Sequence, residues 1–204
     1  MSIKVLHVNY SDNKGGAAIA VERICKAQQK LDIDFKIITA EKYSNNKNVI
    51  GPNSTIEEIK WKILASINRK INNLENKKKY DSNSYNLIPN NFVKKINKIQ
   101  CDIVNLHWIG GNLIPIKDLK KINKPIVWTL HDMWAYTGSE HYTQSLRFAE
   151  GYNKNNKPID SKGYDLEKYC WNLKKKFYPS NLKIIVTSDW QFNNAKKSIL
   201  LNDK

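Results

Sequence analysis

The run Ile3 to Val8 is apolar at nearly every position. A strand with no polar face to offer water belongs inside a parallel sheet that is covered on both sides. A polar loop ending in Gly15-Gly16 follows it, and then Ala20, Ile24, Ala27 and Leu31 recur at helical spacing before a second apolar run, Phe35 to Thr39. This is a strand, a crossover helix and a second strand.

The alternation continues along the chain. Ser54-Thr55-Ile56-Glu57-Glu58 carries overlapping capping-box signals ahead of an amphipathic stripe of Ile56, Ile59, Ile63, Ile67, Ile71 and Leu74. Phe92, Val93, Ile96 and Ile99 predict a short helix with Asn91 as its cap, leading into a strand at Asp102 to Leu106. Leu113 to Ile122 reads as a short helix, and Pro125 opens the strand Ile126 to Leu130, where a missing N–H donor is tolerated. Leu166, Tyr169, Cys170, Leu173 and Phe177 line one face of a further helix, and Leu182 to Thr187 is a last strand. The pattern predicts an α/β fold, a Rossmann-like parallel sheet flanked by helices, as one domain over residues 1–204. Two stretches lack periodicity. Lys77-Lys78-Lys79 through Asn86 reads as a solvated, mobile loop, and Tyr136 to Tyr164 as a long functional or disordered loop.

Composition narrows the function. The 34 basic and 19 acidic residues leave a net charge of +15, which favours anionic partners: phosphate-bearing ligands, an anionic membrane surface or nucleic acid. Lysine and asparagine are abundant throughout, so part of the excess is a composition bias. Nucleic acid is disfavoured because Trp and Tyr fall at strand ends and within helices rather than interleaved with Lys on one platform. No apolar run is long enough to span a bilayer, and Met1 to Lys14 lacks a signal-peptide pattern, so the expected location is the cytoplasm. Cys25, Cys101 and Cys170 are widely spaced and odd in number, which predicts three reduced thiols.

Ligands of open parallel sheets bind beyond the carboxyl ends of the strands. The residues there are Asn9 with Gly15-Gly16, then His107-Trp108-Ile109-Gly110-Gly111, then His131-Asp132-Met133-Trp134, then Ser188-Asp189-Trp190. Together they predict a binding cleft on one rim. Gly15 and Gly16 open a helix, where backbone N–H groups can approach an anion. They form neither a Walker loop nor a full dinucleotide fingerprint. Glu41 could mimic a ribose-binding acid, but the long loop before Gly15 argues against a nicotinamide cofactor. Adjacent His131 and Asp132 on an extended segment point to opposite sides, which disfavours a shared metal ion. Glu140 and His141 fall in the irregular loop; they could face substrate, and solvation is their ordinary fate. Covalent hydrolase chemistry gains no support, because no nucleophile elbow and no Cys-His pairing is readable.

Val8-Asn9-Tyr10 through Gly15-Gly16-Ala17, then Asn105-Leu106-His107-Trp108, then Trp128-Thr129-Leu130-His131-Asp132-Met133-Trp134, come in an order that resembles a known family. Together with Lys183 to Trp190 they are similar to the N-terminal half of family 4 glycosyltransferases of the GT-B fold. The likeness is strongest to bacterial enzymes of colanic acid, O-antigen and capsule synthesis. It implies an acceptor-side domain that works with a second, nucleotide-sugar-binding domain, transferring sugar with retention at the anomeric carbon and without a metal or other cofactor. It further implies that Gly15 and Gly16 lie near the donor diphosphate and that His131 is catalytic, contacting the donor sugar. Asn9, His107, Trp108, Asp132, Trp134 and His141 would form the cleft wall or bind the acceptor, a saccharide or a lipid-linked saccharide. The chain ends at Lys204, where the family crosses into its donor domain, so the chain alone is expected to be inactive. Gly138-Ser139-Glu140-His141-Tyr142 departs from the family pattern by lacking a cysteine. The alternative is a non-catalytic module that pairs with a separate donor domain or docks on an anionic membrane surface at the inner face of the cell membrane.

Overall fold

The computed structural model describes residues 2–74, 83–159 and 163–204. Six strands, β1 (Lys4–Val8), β2 (Asp34–Ile38), β3 (Val49–Ile50), β4 (Ile103–Leu106), β5 (Ile126–Leu130) and β6 (Lys183–Val186), form one sheet. Their order is β3-β2-β1-β4-β5-β6 and every pairing is parallel. This is the doubly wound, Rossmann-like arrangement, and its order reverses between β1 and β4, where a ligand crevice opens in such sheets. The helices are α1 (Gly16–Gln29), α2 (Thr55–Leu74), α3 (Phe92–Lys98), α4 (Arg147–Glu150), α5 (Leu166–Phe177) and α6 (Asp189–Lys197), with a 3-10 helix at Ile116–Lys121. Among the described residues no helix is long and apolar enough to cross a membrane.

The two faces of the sheet differ. Leu6, Val8, Val104, Leu106, Ile126, Trp128 and Leu130 point into the main core, where they join Trp61, Phe92, Ile96 and Leu119. Alternate positions point to the other face, and there the strands carry His7, Asn105 and Thr129, all buried. The Thr129 hydroxyl donates to Asn105 Oδ1 at 3.0 Å. A small apolar cluster of Val21, Cys25, Ile37 and Val49 seats α1 beside this polar row.

Several expectations are corrected. The buried stripe of α1 is Ala18, Val21 and Cys25, not the stripe through Ala27 and Leu31, both of which are exposed. Small residues at the buried positions let α1 approach the sheet closely, and the same register carries Gln28 over His7. In α2 the stripe Ile56, Ile59, Ile63 and Ile67 faces outward, because Trp61 and Leu64 take the core position and Trp61 meets Phe92 edge to face at 5.3 Å. The α2 start behaves as read: Ser54 Oγ accepts from the Glu57 N–H at 3.3 Å, while Glu57 reaches back to the Asn53 N–H at 2.9 Å. Asn91 occupies the N-cap position of α3, but its side chain makes no capping bond. Asn90 Oδ1 takes the Phe92 N–H at 2.9 Å, and Asn91 instead accepts from Lys60 Nζ at 2.7 Å. The short strand β3 was not anticipated, since two residues are too few for a readable period.

Residues 77–82 of the predicted solvated loop lie outside the described residues, but Asn83 to Asn86 are buried. The stretch Tyr136 to Tyr164, apart from 160–162, is folded rather than disordered and contains α4. Its anchor is Arg147, 2% exposed, whose Nη1 donates to Glu167 at 2.8 Å and Nη2 to Asp165 at 2.5 Å. The guanidinium also lies 4.3 Å from the Tyr152 ring centre. Lys174 of α5 holds the start of the stretch: its buried Nζ donates to the carbonyls of Trp134 and Thr137, and burial pushes its ammonium down to about 7. Gly138 packs against α5 so closely that a β-carbon there would lie 2.6 Å from the Glu167 carbonyl oxygen. Polar anchors of this kind have no hydrophobic period and leave no trace in a pattern reading.

Candidate functional site

The strand ends of β1, β4 and β5 build the site. Asn9, immediately after β1, accepts the Trp108 N–H on Oδ1 at 3.0 Å and donates from Nδ2 to the Ser11 carbonyl at 2.7 Å. Tyr10 continues the tie, its N–H donating to the Trp108 carbonyl at 3.0 Å, so the β1 and β4 ends are stitched across the reversal point. The Trp128 indole donates to the His107 carbonyl at 3.0 Å and links the β5 strand to the same rim.

Three histidines cross these strands on the polar face. His7 Nδ1 is 2.9 Å from His107 Nε2, and His107 Nδ1 is 3.0 Å from His131 Nε2. The His107 and His131 rings stack at 5.3 Å, and His7 ends the row with its Nε2 at 2.8 Å from Gln28 Oε1. Burial lowers the pKa of all three; Gln28 partly offsets this at His7, and the Asp132 carboxylate does so at His131. His107 is lowered furthest, because His7 and His131 add to its desolvation. The imidazoles are therefore neutral near pH 7.

A stability consequence follows from the sign of these shifts. Below about pH 6.5 the unfolded chain takes up protons that the folded row resists, so stability falls as pH falls from 6.5 toward the lowered folded values. His107, lowered furthest, contributes most to that fall. Urea midpoints at pH 7 and pH 5.5 check this: a clear drop is expected, smaller in His107→Asn, and equal midpoints in the native chain would contradict it.

Beside the row stands a second cluster. Asp132 Oδ2 accepts from His141 Nδ1 at 2.6 Å, and His141 Nε2 is 2.8 Å from Ser84 Oγ. The Trp108 ring stacks on His141 at 5.2 Å. Asp132 Oδ1 takes the Trp134 N–H at 2.9 Å, and the Trp134 indole donates to the Ser84 carbonyl at 2.6 Å. Ser84, His141 and Asp132 have the connectivity of a nucleophilic triad. Ser84 is only 2% exposed, however, and its Oγ also accepts the Gly111 N–H at 3.0 Å. The three residues tie the Asn83 to Asn86 segment to the rim; they do not present a nucleophile. Glu140 is likewise buried rather than solvated, held by Tyr152 Oη at 3.1 Å and by the Ser139 N–H at 2.8 Å.

A cavity of about 340 Å³ opens next to this cluster, between the β1 end and α2. Tyr10 and Trp108 form an aromatic corner of its wall, their rings edge to face at 5.5 Å, and Lys62, Asn68 and Arg69 of α2 supply polar and basic groups. Glu41 lines it too, with its carboxylate accepting from Tyr43 Oη at 2.8 Å.

Asn9, His107, Trp108, His131, Asp132, Trp134 and His141 are thus brought into one connected cluster. Gly15 and Gly16 stand apart from its hydrogen bonds at the start of α1; Gly15 takes a φ of +85°, a backbone state that favours glycine, and neither glycine has an atom within 4 Å of where a β-carbon would stand. Among the described residues no three of His, Cys, Asp and Glu converge as metal ligands, and the three cysteines are buried and form no disulfide. Sequence reasoning missed His7, Gln28, Ser84, Tyr10 and Arg69. The readable signal was the period of two that places His7, Asn105, His107, Thr129 and His131 on one sheet face. Comparison with known protein families and with characterised proteins returns no match.

Proposed function

We propose that this chain is the acceptor-side half of a sugar-transfer site. A partner domain that grips a nucleotide-sugar completes the cleft. The observation that carries the reading is a cavity with an aromatic corner and a basic wall beside the sheet's reversal point, whose wall residue Trp108 stacks on His141 of the Asp132–His141 pair, with His131 following β5 on the same rim. Sugar rings offer apolar faces that suit Tyr10 and Trp108, and hydroxyls that suit neutral imidazole and amide groups. Arg69 and Lys62 match a phosphate on a lipid-linked saccharide. In the transfer, an acceptor hydroxyl bonds to the anomeric carbon as the bond to the diphosphate breaks; the hydroxyl proton leaves with the diphosphate. His131 contacts the donor sugar, and Gly15 and Gly16 bring α1 amides toward the diphosphate. The gene product carrying this chain, incubated with membranes of its source cell and radiolabelled UDP- and GDP-hexoses, is expected to move label from one of them into extractable lipid. No transfer from any of them contradicts the reading.

One further observation favours docking on an anionic bilayer as part of the same function. Ile56, Ile59, Ile63 and Ile67 are 81%, 51%, 53% and 38% exposed along one ridge of α2, the helix whose other residues line the cavity. Lys60 and Lys70 flank that ridge, while Glu57 is paired with Lys95. An apolar ridge with basic flanks lies in the headgroup boundary of anionic membranes. The protein is expected to sediment with phosphatidylglycerol-containing vesicles and not with phosphatidylcholine alone, less so at high salt. Ile59→Ser with Ile63→Ser weakens this roughly tenfold or more; equal binding to both vesicles, or none at low salt, rejects the docking.

A further inference from the structure

We infer that Gln28 sets the tautomer of His131 through the buried imidazole row, and so decides whether His131 Nδ1 is a bare lone pair or an N–H. The carboxamide oxygen of Gln28 lies 2.8 Å from His7 Nε2, so that nitrogen carries the hydrogen and His7 Nδ1 is an acceptor. His107 must then donate from Nε2 across the 2.9 Å link, which leaves its Nδ1 to accept. His131 in turn donates from Nε2 across 3.0 Å, and its Nδ1 lone pair is the ring nitrogen left for a ligand. Each neutral ring has one hydrogen, so a single choice at Gln28 propagates through all three. His7 and His107 are both buried, so water cannot break the order between α1 and the rim.

The direction matters to chemistry. A bare Nδ1 accepts a hydrogen bond from a hydroxyl and cannot donate one; the reversed row would present an N–H to the same hydroxyl. Gln28 and His7 are accordingly positioning residues, remote from the cleft, that act through His131. This inference rests on the sugar-transfer reading only for its consequence at His131; the tautomer order itself stands on geometry.

Long-range 1H–15N spectra of histidine-labelled protein at pH 7.5 test it without any ligand. His7, His107 and His131 are each expected as neutral Nε2–H forms. Gln28→Glu keeps an acceptor opposite His7 and should keep all three. Gln28→Lys puts a donor there and should convert all three to Nδ1–H; if that variant does not fold, Gln28→Leu removes the anchor and should yield mixed tautomers at His131. An Nδ1–H form at His131 in the native chain, or a His131 unchanged in both Gln28→Lys and Gln28→Leu, overturns the inference. In the transfer assay Gln28→Lys should lower turnover tenfold or more while Gln28→Glu retains it. Tautomers that respond as expected with turnover unchanged leave the row standing and remove His131 from the transfer step.

Discussion

Arg147→Met is expected to lower the free energy of unfolding by about 3–5 kcal/mol, the range for removing one partner of a buried charge network. The guanidinium is buried against Asp165 and Glu167, and both carboxylates are themselves largely enclosed. Losing the cation leaves two like charges facing each other in a site with little water, where each carboxylate loses its strongest hydrogen-bond donor. Asp165 Oδ1 also caps α5 by accepting the Lys168 N–H at 2.9 Å, so its disturbance reaches the helix that carries Lys174. Urea unfolding of Arg147→Met and of the triple variant Arg147→Met, Asp165→Asn, Glu167→Gln separates the causes. Most of the loss should return in the triple variant, since it removes the uncompensated charge. A loss below about 1 kcal/mol in Arg147→Met would show that the site is solvated like a surface pair.

That network marks where sequence reading stops. Apolar runs and helical periods revealed the parallel sheet, because burial of β1, β4 and β5 leaves their runs mostly apolar, even though their second face carries His7, Asn105 and Thr129. The rim residues were legible for a related reason: the strands end abruptly, and whatever follows them must sit at the crevice. His107, His131 and Asp132 were readable in this way, whereas His7 was hidden inside an apolar run. Gln28 was obscured by a stripe read one position off along α1. Asn83 to Asn86 is polar and half Asn, and the stretch after Tyr136 is rich in Asn, Gly and Lys, the composition of loops, yet both fold by hydrogen bonding. Asn86 alone donates to the carbonyls of Ile109 and Ile114 and accepts from the Asn112 N–H. Satisfaction of buried backbone groups by side-chain amides depends on partners more than twenty residues away, and local patterns do not encode it.

The second large effect is at His131. His131→Ala is expected to reduce sugar transfer on the order of 100-fold or more, in the range for removing a group that contacts the reacting centre. It should leave the fold intact, because His131 ends the imidazole row and is only partly buried. His107→Ala differs: its ring bridges two others inside the molecule, so stability and transfer should fall together. His141→Ala loosens Asp132 and Ser84 at once and should weaken acceptor use, raising KM more than it lowers kcat.

Whether the chain serves sugar transfer at all is tested most directly in the source cell. The gene is deleted and restored as native or His131→Ala, and the sugar composition and length of the surface polysaccharide are measured. A polysaccharide shortened or missing one sugar is expected in the deletion, with recovery by the native gene and none by His131→Ala expressed at equal level. An unchanged polysaccharide in the deletion, or full recovery with His131→Ala, would contradict a role in sugar transfer.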